Sequence, residues 1–182
     1  MKPIFKSREN KVHIVDGREV WESRSTAVGA IIFGYSDKDE NVYVLVEKRS
    51  NKMPEGAGLW AVPSGYLNYD EDAWDAMRRE LYEETSFFVD KYKKQLIFSN
   101  DKEPLFTFTK PTENRQNVIL WFCLVYDFSK TGLPREIESF KDSEIDAIRW
   151  ISVEDVFSNK YKWAFKHDER VRNALTKIYI ML

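Results

Sequence analysis

Two apolar runs constrain this chain more than any other feature. Residues 26–33 read TAVGAIIF, and residues 117–128 read NVILWFCLVYDF. Neither run alternates cleanly between apolar and polar types, so neither suits a strand with one wet face. Each reads as a strand, the first well buried and the second long and central. A sheet built on such strands needs cover above and below. With strands and helices alternating unevenly along the chain, the expected fold class is α/β, a mixed sheet with helices on both faces.

The rest of the chain supplies the other elements. Residues 12–15 and 20–21 flank Asp16–Gly17 and read as a hairpin. Residues 41–46, 59–62, 95–98, 105–109 and 147–151 read as further strands. Residues 50–59, with Pro54, Gly56 and Gly58, read as a loop. A helix is expected from about Glu71 to Thr85, capped by Asn68 or Asp70. A helical turn is expected at 153–157. A closing amphipathic helix is expected over 163–178, with Trp163, Phe165, Val171, Leu175 and Ile178 on its apolar side. At 182 residues the chain is expected to be one domain, with residues 1–25 as a short N-terminal extension or hairpin.

Composition removes several function classes. Lys and Arg total 28 against 30 Asp and Glu, so a formal charge of −2 gives no general reason to bind nucleic acid. The lone cysteine, Cys123, cannot form an internal disulfide or a multi-cysteine zinc site, and two histidines leave little for a histidine cluster. Cys123 sits in an apolar strand and reads as a small buried hydrophobe; His13 and His167 read as structural or solvated. The first ten residues have no apolar signal core, and no stretch approaches a membrane span, so a cytoplasmic protein is expected.

The chemistry concentrates in residues 65–87, GYLNYDEDAWDAMRRELYEETSF. At about 100° per residue, Glu80, Glu83 and Glu84 fall in one sector of a helix and Trp74, Met77 and Leu81 in the next. The second sector can pack on a sheet while the first borders a cleft. Like charges four apart cost a helix a few tenths of a kcal/mol. A hard divalent cation such as Mg²⁺ or Mn²⁺ offsets this. An ordinary solvated acidic face accounts for the same residues if the helix is taken alone.

The wider spacing resembles the Nudix box of the Nudix hydrolase family, G-x5-E-x7-R-E-U-x-E-E-x-G-U, with U a bulky aliphatic residue. Gly65, Glu71, Arg79, Glu80, Glu83 and Glu84 occupy its six fixed Gly, Glu and Arg positions, and Leu81 takes the first U. A chance match of six such positions in a chain of this length is on the order of 10⁻⁵. Ser86 stands where the family has Gly, and aromatic Phe87 takes the last U. The preceding LWAVPSG resembles the family's W-x-x-P-G-G, with Ser64 for the first Gly. The resemblance spans roughly residues 26–156.

The resemblance implies an α/β/α sandwich around a mixed sheet, and metal-dependent hydrolysis of the pyrophosphate link in a nucleoside diphosphate derivative. ADP-ribose or another sugar nucleotide is preferred as substrate. Carried over, Glu80, Glu83 and Glu84 are the metal carboxylates, with the Ser64 carbonyl as a further ligand for Mg²⁺ or Mn²⁺. Arg79 fixes the loop, and Glu71 is structural. The general base or an extra ligand is sought in a later loop at Glu136, Glu138 or Glu144, with Glu144 preferred because it precedes the strand holding Trp150. Arg24, Lys48, Arg49 and Arg115 are candidate phosphate contacts, Arg49 foremost. Trp60, Tyr66, Tyr69, Phe106 and Trp121 are candidate partners for a base. The implied partner is a small nucleotide, with no membrane and no general nucleic-acid binding. A homodimer is expected on the resemblance alone. The rival reading is a catalytically silent Nudix fold that senses nucleotides or binds protein.

Overall fold

The computed structural model describes residues 10–36, 40–111, 117–135, 144–158 and 160–181. Strands β1 (Lys11–Val15) and β2 (Arg18–Glu22) form a separate two-stranded hairpin. Asp16 and Gly17 link them with φ of 49° and 74°. A two-residue hairpin turn uses such positive angles because they match the strand twist. All ten strand residues are exposed.

The main sheet is built on β3 (Thr26–Ser36) and β9 (Val118–Asp127), which are parallel neighbours in register from Thr26↔Val118 to Tyr35↔Asp127. These are the two apolar runs, each slightly displaced in its bounds. Antiparallel to them lie β4 (Asn41–Arg49) and β7 (Leu96–Ser99), and β10 (Ile145–Ser152) pairs antiparallel with β4, giving the order β10–β4–β3–β9–β7. Three short strands attach to this path. They are β5 (Trp60–Ala61) on β4, β6 (Ser64–Tyr66) on β3 and β8 (Phe106–Phe108) on β9.

Helix α1 (Ala73–Thr85) covers one face. Its Ala76, Met77 and Leu81 pack with Val28, Ala30 and Ile32 of β3 and Phe122, Leu124 and Tyr126 of β9. Helix α3 (His167–Met181) covers the other through Val171, Ala174 and Ile178, against Ile31, Phe33, Trp121 and Cys123. Successive strand residues serve opposite layers, which is why neither run could alternate. Fully burying each such Leu, Met or Phe stabilises the fold by about 1.5–3 kcal/mol. Gly29 lets the Trp121 indole lie across β3, because a Cβ there would overlap the ring.

The helix boundaries correct the sequence reading. α1 starts two residues later than expected and is capped by Asp72, whose Oδ1 accepts the Asp75 N–H at 2.8 Å. Asn68 and Asp70 lie too far ahead of Ala73 to cap it, and the Asn68 N–H donates to Glu71 Oε1 at 2.7 Å in a preceding turn. The closing helix begins at His167, not at 163. Phe165 and Lys166 have φ of 53° and 59°, outside helical geometry. Residues 162–164 instead bond to the strand at Trp60: the Trp60 N–H meets the Lys162 carbonyl, and the Ala164 N–H meets the Trp60 carbonyl. Trp163 and Phe165 therefore precede the helix. Residues 153–157 form the short α2 (Val153–Phe157), and Val89–Tyr92 add an unforeseen 3₁₀ turn.

Candidate active site

A cleft of 1510 Å³ opens at the end of the sheet where β3 and β9 begin. Its wall is assembled from distant segments: residues 22–25 ahead of β3, the end of β4, β6, the inner side of α1, and the start of α3. Of the residues singled out from the sequence, Glu80, Glu84, Ser64, Tyr66, Arg24, Arg49 and Glu144 line it, as does Trp121.

Helix α1 places the carboxylates. Glu80 and Glu84 lie one turn apart on its buried side and are 6% and 3% exposed. The Ser64 N–H donates to Glu84 Oε2 at 2.9 Å, clamping the helix to β6. The Glu80 carboxylate rests directly on Gly65, where a Cβ would overlap it. Ser64 itself does not adopt a positive φ, so this position does not require glycine. At the far end of α1, Ser86 does adopt the left-handed conformation, φ 55°, and its N–H bonds to the Tyr82 carbonyl. The exit a glycine would favour is thus made by serine at some conformational cost.

Arg79 organises the negative charge. Its Nε and Nη2 donate to the two oxygens of Glu71 at 2.9 and 2.6 Å, a bidentate pair. Nη1 donates to Glu80 Oε1 at 2.7 Å and reaches Glu83 Oε2 at 3.4 Å, while Nη2 also donates to the Tyr66 carbonyl at 3.0 Å. The hydrogen bond from Arg79 holds the Glu71 carboxyl below its ordinary value, and Glu71 in turn raises the guanidinium's pKa.

The three box glutamates do not all face one point. Glu80 and Glu84 border the cleft, whereas Glu83 is half-exposed, reaches Arg79 and is not part of the wall. Among the described residues no group of three or more His, Cys, Asp or Glu side chains is arranged to hold a metal ion. What the chain does offer is a hard-oxygen pair. Two buried carboxylates lie beside a stretch, Ser64–Gly65, that is bare of side-chain bulk at Gly65. That donor set fits Mg²⁺ or Mn²⁺, which take oxygen ligands and retain water.

The remaining candidates separate by position. Arg49 donates from Nε to the Glu55 carbonyl at 3.1 Å and lies over the Phe165 ring. Arg24 donates to the Asn117 carbonyl at 2.9 Å. The Glu144 carbonyl accepts from the Ser50 N–H, tying the residue to the β4 loop. Lys48, Trp60, Tyr69 and Phe106 lie off the wall: Tyr69 is fully exposed, Trp60 packs edge-on against Tyr161, and Phe106 stacks on Trp121. Arg115, Glu136 and Glu138 lie outside the described residues. Cys123 is buried and burial pushes its thiol pKa up, so it is no nucleophile; His167 is buried, and its Nδ1 accepts the Val62 N–H. The wall residues from Phe108, Lys110, Phe165, Lys166 and Arg170 were not anticipated. Nothing local in the sequence marks them, since they meet the glutamates only through the fold.

The NUDIX domain family model matches residues 24–174. The chain belongs to that family. Its architecture is the Nudix fold, a mixed sheet between helices. Phosphatase NudJ of Escherichia coli K12 is 29% identical over 120 residues, covering 64% of this chain and 64% of that protein. The human m7GpppN-mRNA hydrolase NUDT17 is 23% identical over 143 residues, 76% of this chain and 42% of that one. The chain thus spans less than two thirds of either relative. The NUDIX domain of Shewanella oneidensis NrtR, solved with ADP ribose, superposes with a TM-score of 0.63 at 21% identity, covering 86% of this chain and 90% of that one. That likeness is one of fold. Among the described residues no helix of this Nudix protein is long and apolar enough to cross a membrane.

Proposed function

We propose that this Nudix chain, acting as one domain, hydrolyses the pyrophosphate link of a nucleoside diphosphate derivative with a divalent cation. ADP-ribose or another sugar nucleotide is the favoured substrate. The observation that carries the reading is the pair of buried carboxylates, Glu80 and Glu84, held against Ser64–Gly65 at the wall of a large cleft. The NrtR domain that was solved with ADP ribose shares the fold and supports the choice of ligand.

Glu80, Glu84 and the Ser64 carbonyl would hold Mg²⁺ or Mn²⁺, with Glu83 joining when its side chain turns from Arg79. Such an ion, when bound, neutralises phosphate charge and lowers the pKa of water. The chain's own residues do the positioning. Arg79 fixes the loop before α1 through Glu71 and the Tyr66 carbonyl, and so holds Gly65 against Glu80. Arg24 and Arg49 offer positive charge to the phosphates, and Tyr66 offers a ring to the nucleoside. Glu144, on the wall at the start of β10, takes the proton from attacking water. A homodimer and a cytoplasmic location remain part of this proposal.

A second reading has one observation in its favour: Glu83 lies off the cleft wall that Glu80 and Glu84 border. In that reading the chain binds nucleotide without cleaving it. A Mg²⁺-dependent screen over ADP-ribose, other sugar nucleotides, dinucleoside polyphosphates and oxidised nucleoside triphosphates, with products identified, decides between them. Hydrolysis of at least one supports the enzyme. Tight binding with no cleavage of any replaces it by the sensor. In an active enzyme, Glu144→Gln lowers turnover by about 10²-fold or more; near-unchanged turnover removes Glu144 from the chemistry.

A further inference from the structure

Arg170 stands in the first turn of α3, and its guanidinium carbon lies 3.9 Å from the centroid of the Phe108 ring. Both side chains line the cleft. Neighbouring cations on the same wall are engaged by the chain: Arg49 with the Glu55 carbonyl, Arg24 with the Asn117 carbonyl, Lys166 with Glu169 at 3.0 Å. Arg170 differs. Among the described residues its guanidinium makes no hydrogen bond and no close ion pair with any protein group. Burial pulls its pKa below the ordinary arginine value, opposed by the charges of Glu169 and Asp168. A half-buried cation left without a hydrogen-bonded anion is unfavourable unless something else supplies one.

Its place in the sheet says which part of a ligand it meets. Tyr66, Ala27, Ile119 and Phe108 lie opposite one another across β6, β3, β9 and β8. Three strand spacings separate β6 from β8, roughly 14 Å. Gly65, beside Tyr66, carries the Glu80 carboxylate. Arg170 stands at the β8 end of the wall and the Glu80 carboxylate at the β6 end, so with a diphosphate at the carboxylates the contact is assigned to a portion of the ligand beyond the diphosphate. A guanidinium held over an aromatic ring keeps N–H donors to offer, and paired N–H groups grip phosphate through two parallel bonds.

We propose that Arg170, seated on Phe108, is a specificity-determining residue that binds an additional phosphate on the nucleotide, beyond its diphosphate link. The preferred ligands are then nucleoside diphosphate derivatives bearing a further phosphoryl group. The inference rests on the reading of this cleft as the nucleotide site, and it does not require that the nucleotide be cleaved.

The test is calorimetric binding of ADP-ribose, ADP-ribose 2′-phosphate and ADP-ribose 1″-phosphate to the full chain. It is run with Ca²⁺ in place of Mg²⁺, so that the carboxylates have a hard cation to hold, and each ligand is checked to be intact afterwards. The wild-type protein binds at least one phosphorylated ligand about 10-fold or more tightly than ADP-ribose. Which of the two it prefers tells whether Arg170 faces the nucleoside or the linked group. Arg170→Ala abolishes the gain while changing ADP-ribose affinity by less than about 3-fold, and Arg170→Lys retains part of it. Should the alanine variant not fold, Arg170→Gln keeps the stem and removes the charge, with the same expected loss. Equal affinity for all three ligands, no binding of any, or a gain that survives Arg170→Ala or Arg170→Gln overturns the proposal. Binding with this pattern but no hydrolysis in Mg²⁺ overturns the hydrolase reading and leaves this one standing.

Discussion

Replacing Arg79 by Met keeps much of the side chain's length and removes its charge. The structure sets the size of the effect. Arg79 makes a bidentate pair with Glu71 and single bonds to Glu80 and the Tyr66 carbonyl, and its side chain is 25% exposed against 15% for Glu71. Breaking a fully buried pair costs about 3–5 kcal/mol, while an exposed pair is worth about 0–1 kcal/mol. A partly shielded hub falls between, at about 2–3 kcal/mol, with repulsion among Glu71, Glu80 and Glu83 included. For a chain of this size each kcal/mol lowers Tm by about 2–4 °C. Thermal and urea denaturation of Arg79→Met should therefore show a Tm lower by roughly 4–12 °C.

The pH dependence gives that prediction a second edge. Arg79 holds the Glu71 carboxyl below its ordinary 4.5. A depressed folded-state value means the stabilisation is fully present above the unfolded-state pKa and is lost as pH falls through the folded-state value. The wild-type advantage is thus complete near neutrality and shrinks progressively below about pH 4.5. A difference under about 0.5 kcal/mol at pH 7, or one that stays constant between pH 7 and pH 3, would refute the assignment of Arg79 as the hub of this loop.

Three further outcomes follow from local geometry. Gly65→Ala places a Cβ in the Glu80 carboxylate. It should lower metal-dependent turnover by about 100-fold while circular dichroism still reports a folded chain; full activity would show that Glu80 need not rest there. Ser86→Gly relieves a left-handed serine at the end of α1, and chemical denaturation should show a gain of about 0.5–1 kcal/mol. The Cys123 thiol, buried and with its pKa pushed up, should resist a disulfide reagent at pH 8 in the native protein and react fully in denaturant.

The local geometry of single elements was written plainly in the residues. The near-continuous apolar run at 26–33 and the long one at 117–128 marked a buried strand and a central one, and β3 and β9 are parallel neighbours inside the sheet. The helical period put Met77 and Leu81 towards the core and Glu80 and Glu84 on a common side, and the six spaced Gly, Glu and Arg positions pointed to the family. These features depend on 2.0 and 3.6 residue periods and on fixed spacing, which neighbouring residues alone can satisfy.

Tertiary structure decided the rest. Glu83 shares the sector of Glu80 and Glu84, yet it stays off the cleft wall and reaches Arg79, which is itself held by a turn in which Glu71 also accepts from Asn68. Beyond the same turn the cap falls to Asp72 and the helix starts at Ala73. Residues 162–164 lost their helical option because β5 offered them backbone partners. Arg170 looks like any arginine on a helix until α3 lays it on Phe108, sixty-odd residues away in sequence. A cleft wall is a set of distances between segments remote along the chain. Such distances come from how the layers pack, which no local pattern encodes.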